Sequence, residues 1–149
     1  MKSMARLLAS CAGIGYVKGG GTIAAAVYTL AWYFTSLGQY LYVQFVVLLV
    51  MLAVGVWSAN KMEQFWGKDS HRVVMDEAAG MCITLLWMPH QWQYALAGLA
   101  AFRFFDIAKP LFIRKLEQWP GGWGVMADDV LAGIYAQLLL QVVKGLNLI

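Results

Sequence analysis

The chain has 149 residues, enough for one compact domain and too few for a comfortable second. With 61% apolar residues, only 13% charged and a mean hydropathy of +0.62, it lies outside soluble usage, where roughly a quarter of residues are charged, so lipid is the expected solvent. A net charge of +3 without an Arg-rich stripe or an aromatic-basic RNA motif gives no ground for a nucleic-acid partner, and none is expected.

Near the start, Leu8-Ala9-Ser10-Cys11 imitates a lipoprotein processing site. Only Leu7 and Leu8 separate it from Arg6, whereas a signal peptide needs ~7–15 apolar residues, so the match is read as coincidence. Cys11 and Cys82 lack a second thiol or histidine at metal-site spacing, and neither opens a Cys-x-x-x-x-x-Arg loop; both are read as inert. Gly19-Gly20-Gly21 forms a break, with Thr22 as the expected N-cap of the first membrane helix. Apolar stretches then run from about Thr22 to Leu37 and from Tyr40 to Ser58, a helical hairpin separated by Gly38 and Gln39. A third stretch follows Glu77, breaks at Pro89-His90-Gln91 and resumes to Phe105; the pieces 78–88 and 92–105 are short against the ~20 residues of a full span and read as a turn-linked pair that spans or re-enters. The last run covers about Val130 to Val143. The expected fold is therefore all-α, a single domain over residues 1–149 built as an integral membrane bundle of about four to five hydrophobic helices.

This path places residues 1–21, 59–77 and 106–129 on one face. Ten of the eleven basic residues fall on or near it, all but Lys144, and positive charge is retained on the cytoplasmic side during insertion. That face, with the N-terminus and polar loops, is expected to be cytoplasmic in a multi-pass protein. The eight acids Glu63, Asp69, Asp76, Glu77, Asp106, Glu117, Asp128 and Asp129 share it. Trp57, Trp66, Trp87, Trp92, Trp119 and Trp123 lie near run ends, as interfacial anchors do.

Four segments gather the polar groups. Gly13 to Thr22, containing Lys18, is either a glycine loop approaching a phosphate or a flexible lead into the membrane. Lys68 to Gly80 sets Asp76 and Glu77 at the start of an apolar helix, as a dipole-favoured helix start would; Asp69 adds a third carboxylate whose repulsion calls for a cation or solvent. Within it, His71 could shuttle a proton. Phe102 to Pro110 spaces Arg103, Asp106 and Lys109 at i, i+3 on one helical face, a solvated stripe or a polar cavity wall. Gly121 to Asp129 reads as a glycine loop ending in Asp128 and Asp129 at the start of the last helix. Carboxylates from several elements beside Arg and Lys are what a Mg²⁺ and phosphate site requires, with hard oxygen ligands for the metal and cations for the remaining charge.

At these segments the chain resembles the phosphatidylglycerophosphatase A family, bacterial membrane enzymes that hydrolyse phosphatidylglycerophosphate to phosphatidylglycerol. The resemblance spans about residues 13–136 and rests mainly on three blocks in order: residues 73–80 (VVMDEAAG), 102–110 (FRFFDIAKP) and 121–133 (GGWGVMADDVLAG). Two departures stand out. The family's Pro-Gly-Thr followed by Gly-Ser is Gly20-Gly21-Thr22 followed by Ala24-Ala25, and Leu111-Phe112-Ile113 stands where a second proline is common.

The resemblance implies a Mg²⁺-dependent phosphomonoester hydrolase of the bacterial inner membrane, with phosphatidylglycerophosphate as substrate, membrane lipid as its surroundings and the active face cytoplasmic. Nothing points to a particular protein partner. On this reading Asp69, Asp76, Glu77, Asp106, Asp128 and Asp129 hold one or two Mg²⁺ ions, and Asp76, Glu77, Asp106 and Asp129 are the catalytic set. Arg103, Lys109, Lys18 and Thr22 bind the phosphate, with Glu63 and His71 in support. Attack by water or by an aspartate are both open. Rival readings are a phosphatase for another lipid phosphate and a non-catalytic cation-binding membrane subunit or carrier; carriers place such acids near the membrane midplane rather than at helix ends.

Overall fold

The structure, a computed structural model, describes residues 1–68 and 70–149. Asp69 lies outside the described residues. Seven α-helices follow one another among them: α1 (Lys2–Ala9), α2 (Gly20–Phe34), α3 (Leu41–Trp66), α4 (Met75–Thr84), α5 (Trp92–Ala108), α6 (Ile113–Leu116) and α7 (Gly121–Gly145).

At the centre stands α4. Every residue from Ala78 to Leu86 is buried, enclosed by α2, α3, α5 and α7. Ten residues give only about 15 Å of helix, half the thickness of a hydrocarbon core, so α4 is a core element whose apolar sequence is covered by protein. Its Met81 and the following Leu85 pack with Trp32, Phe102, Met126 and Leu140 in the main core. The short α1 lays Ala5 and Ala9 against Ala59, Met62 and Val73, and the Val74 amide donates to the Ala9 carbonyl at 2.9 Å, which pins the entry to α4.

The expected count of four to five hydrophobic helices is reduced. Among the described residues two helices, Leu41–Trp66 and Gly121–Gly145, are long and apolar enough to cross a membrane. With 15 and 17 residues, α2 and α5 fall short of the ~20 that a span takes. An apolar run reads the same in sequence whether lipid or protein covers it, so hydropathy groups α4 with the others. The outer faces are nonetheless apolar: Val27 and Leu30, Leu49 and Val50, Leu96, and Leu138 and Leu139 are exposed on α2, α3, α5 and α7. Apolar surface on that scale marks a lipid-facing or protein-facing belt.

Two boundaries also differ. The first long helix starts at Gly20 with Gly19 as N-cap, so Thr22 is inside it. The last starts at Gly121, and the glycines read as a loop are its first turn. At one end of the bundle the chain closes through the Tyr94 hydroxyl donating to the Ile149 carbonyl and the Lys144 ammonium donating to the Trp87 carbonyl. The charged segments gather at the other.

Candidate active site

Two glycines set the geometry. A Cβ on Gly133 would collide with the backbone carbonyl of Gly80, and one on Gly80 would strike the Phe102 ring and the Asp129 carbonyl. The backbones of α4 and α7 therefore touch, and the Thr84 hydroxyl lies against both, donating to the Gly80 carbonyl at 2.9 Å and sitting 3.4 Å from that of Gly133. This contact carries the first turn of α4 alongside Asp128 and Asp129 of α7.

Asp76 and Glu77 occupy that first turn, where the helix dipole favours acids, but neither caps the helix. The pair on α7 lies in the eighth and ninth positions of its helix, which removes the capping explanation for them. Carboxylate oxygens of Asp76, Glu77 and Asp129 fall within 4.8 Å of one another. Asp76 Oδ1, Glu77 Oε2 and Asp129 Oδ2 are buried without a hydrogen-bond partner. Burial above all, then the charges of Glu77 and Asp129, push the Asp76 carboxyl well above the usual carboxylate range, and burial likewise raises Glu77.

These acids floor a cavity of about 250 Å³ that is also lined by Ser70, His71, Arg103, Asp106, Lys109 and Glu117. Arg103 forms an ion pair with Asp106 one turn along α5. Lys109 ends α5 in a left-handed conformation, which swings its side chain off the helical stripe. Its ammonium donates to Asp128 Oδ2 at 2.8 Å and to Glu117 Oε1 at 2.9 Å. Burial alone would favour the neutral amine, but these two carboxylates outweigh it and hold the ammonium above the ordinary lysine range. Replacing Lys109 by Met is expected to cost about 1–3 kcal/mol of stability, because it takes the cation from the buried Asp128. Denaturant unfolding in detergent measures this, and an unchanged midpoint would contradict it.

Among the described residues, six carboxylates and two cations line the cavity, leaving four negative charges when all are ionised. A phosphate dianion entering such a space meets repulsion unless divalent cations come with it. The three converging orphan oxygens are the hard donors that Mg²⁺ takes, so the residues fit that ion.

Of the residues singled out in the sequence, Asp76, Glu77, Asp106, Asp128, Asp129, Arg103, Lys109 and His71 come together here. Glu63 lines a separate cleft with Trp66 and Gly121. Lys18 and Thr22 are exposed and do not line the cavity. The glycine segment serves the site differently, since a Cβ on Gly21 would occupy the place of the Glu77 carboxylate. That missing side chain lets Glu77 rest against the first turn of α2. Glu117 joins the site through Lys109, eight residues earlier beyond α6, a pairing that the break after α5 hides from any continuous helical pattern. Burial holds the Cys11 thiol up at about 11, so it stays protonated and unreactive near neutral pH.

A family described as Phosphatidylglycerophosphatase A matches residues 7–144. A Bacteroides thetaiotaomicron protein whose name, phosphatidylinositol-3-phosphatase, is provisional is 42% identical over 128 residues, covering 83% of this chain and 80% of that one. A Haemophilus influenzae phosphatidylglycerophosphatase A is 39% identical over 72% of this chain and 67% of its own. The Escherichia coli phosphatidylglycerophosphatase A is 34% identical over 80% of this chain and 71% of its own. No solved structure matches the chain significantly.

Proposed function

The chain belongs to the phosphatidylglycerophosphatase A family, a family of phosphatases, and from that premise we propose that it removes the terminal phosphate of phosphatidylglycerophosphate in a Mg²⁺-dependent hydrolysis. The observation that carries the reading is the convergence, beside Arg103 and Lys109 in one cavity, of three carboxylates that each bury one oxygen without a hydrogen-bond partner. Asp76, Glu77 and Asp129 hold the metal, with Asp106 and Asp128 at its flanks. Mg²⁺ bound there would neutralise charge at the phosphoryl oxygens and make the phosphorus easier to attack. Arg103, oriented by Asp106, and Lys109, oriented by Glu117 and Asp128, bind the phosphoryl oxygens that remain. Burial of the acids keeps bulk water from screening these interactions.

The cavity opens at the bundle end that carries most of the basic residues, which supports a multi-pass arrangement in the bacterial inner membrane with this end cytoplasmic. Acyl chains then stay among apolar helix faces while the headgroup reaches the acids. A second reading, hydrolysis of a phosphoinositide monophosphate, is favoured by the name of the Bacteroides relative. Purified protein in detergent with Mg²⁺ is expected to release phosphate from phosphatidylglycerophosphate at least about tenfold faster than from phosphatidylinositol 3-phosphate or phosphatidic acid. Faster release from the inositol lipid would transfer the assignment to the second reading.

A further inference from the structure

A second, larger cavity of about 700 Å³ lies on the other side of α7, and among the described residues no charged one lines it. Its walls are Val56 and Trp57 of α3, Leu116 at the end of α6, and Trp123, Val130 and Ile134 of α7. From Trp123 to Ile134 the groove follows α7 for about 16 Å, the depth of half a hydrocarbon core. Its volume falls within the range of about 300–1,000 Å³ usual for ligand sites.

Two features point to one occupant. The groove shares its wall with the acidic cavity: Leu116 lines the groove and Glu117 the cavity, and the same holds for Ala127 and Asp128. The end near Trp57 and Leu116 is also flanked by exposed basic residues, with Lys61 one turn beyond Trp57 on α3 and Arg114 and Lys115 immediately before Leu116. An apolar trough with cations at its mouth complements an anionic phospholipid, the chain along the trough and the phosphodiester at Lys61, Arg114 and Lys115.

We infer that this groove holds an acyl chain of the lipid substrate while its terminal phosphate sits in the acidic cavity. The inference rests on the reading of the chain as a lipid phosphatase and extends it with a recognition site for the tail. In phosphatidylglycerophosphate a glycerol, a phosphodiester and the glycerol backbone separate the reacting phosphorus from the acyl chains, and on this inference that spacer passes around the shared wall. The metal residues act on the headgroup alone, so filling the groove separates the two functions.

The test uses the full chain in detergent and two substrates with the same headgroup, one with sixteen-carbon acyl chains and one with four-carbon chains. Ala53, exposed on α3 and lining the groove, is replaced by Trp, with Ala53→Leu as a milder filling. The expected result is a KM for the long-chain substrate raised about tenfold in Ala53→Trp, less in Ala53→Leu, with kcat/KM for the short-chain substrate within about twofold of the parent. Unchanged kinetics with both substrates would mean that bulk lipid alone covers the groove, and equal loss on both would place the effect in the fold or the acidic cavity; either overturns the inference. Failure of the parent protein to release phosphate from either substrate would instead remove the phosphatase reading beneath it.

Discussion

Asp76→Asn is expected to leave a folded protein that releases phosphate at least about 10³-fold more slowly than the parent, the loss of several kcal/mol of transition-state stabilisation. Asn keeps the shape of the side chain and removes the charge that a divalent cation needs. The same change relieves the metal-free protein, in which a buried carboxylate crowded by Glu77 and Asp129 is costly to ionise. In chelator the variant should therefore unfold at the same or a higher temperature than the parent. Added Mg²⁺, which stabilises any state that binds it, should raise the melting temperature of the parent and leave that of the variant nearly unmoved. An inactive variant with a parent-like response to Mg²⁺ would take Asp76 out of the metal site. A variant that unfolds early would mean that its carboxylate supports the fold.

The second large effect is structural. Gly133→Leu is expected to prevent stable folding, and Gly133→Ala to cost at least about 1–3 kcal/mol, the scale of core overpacking. The first atom of any side chain at Gly133 meets backbone, the Gly80 carbonyl, which has no rotamer to yield. Separating α4 from α7 also parts Asp76 and Glu77 from Asp129, so any Gly133→Ala protein that folds should lose activity out of proportion to its stability. Thermal unfolding in detergent and phosphate release on the same preparation give both numbers. Parent-like values for Gly133→Ala would show that the two helices do not depend on this approach.

Much of the candidate site's composition was legible in the chain because acids are costly beside apolar runs and therefore stand out. Asp76, Glu77, Asp106, Asp128 and Asp129 were marked by that contrast, and the cavity draws them together. What linear reading missed depends on three-dimensional turns. Lys109 belongs to the i, i+3 stripe by spacing, yet its left-handed backbone turns it toward Glu117 and Asp128. Gly20 and Gly21 resemble a phosphate loop by composition, yet they begin a helix, where Gly20 admits the Ile14 carbonyl and Gly21 leaves room for the Glu77 carboxylate. Hydropathy could not separate α4, buried on every side by protein, from helices that expose an apolar face, because both need the same residues. The tight contact of Gly80 with Gly133 pairs positions 53 apart, a relation that no local pattern carries.

The most direct test of the account is phosphate release from phosphatidylglycerophosphate by the detergent-purified chain with Mg²⁺, with excess chelator, and with chelator followed by restored Mg²⁺, using Asp76→Asn as the control. The parent is expected to show turnover that chelator abolishes and Mg²⁺ restores, and the variant no restoration. Turnover that persists in chelator, or equal turnover by Asp76→Asn, would contradict that expectation.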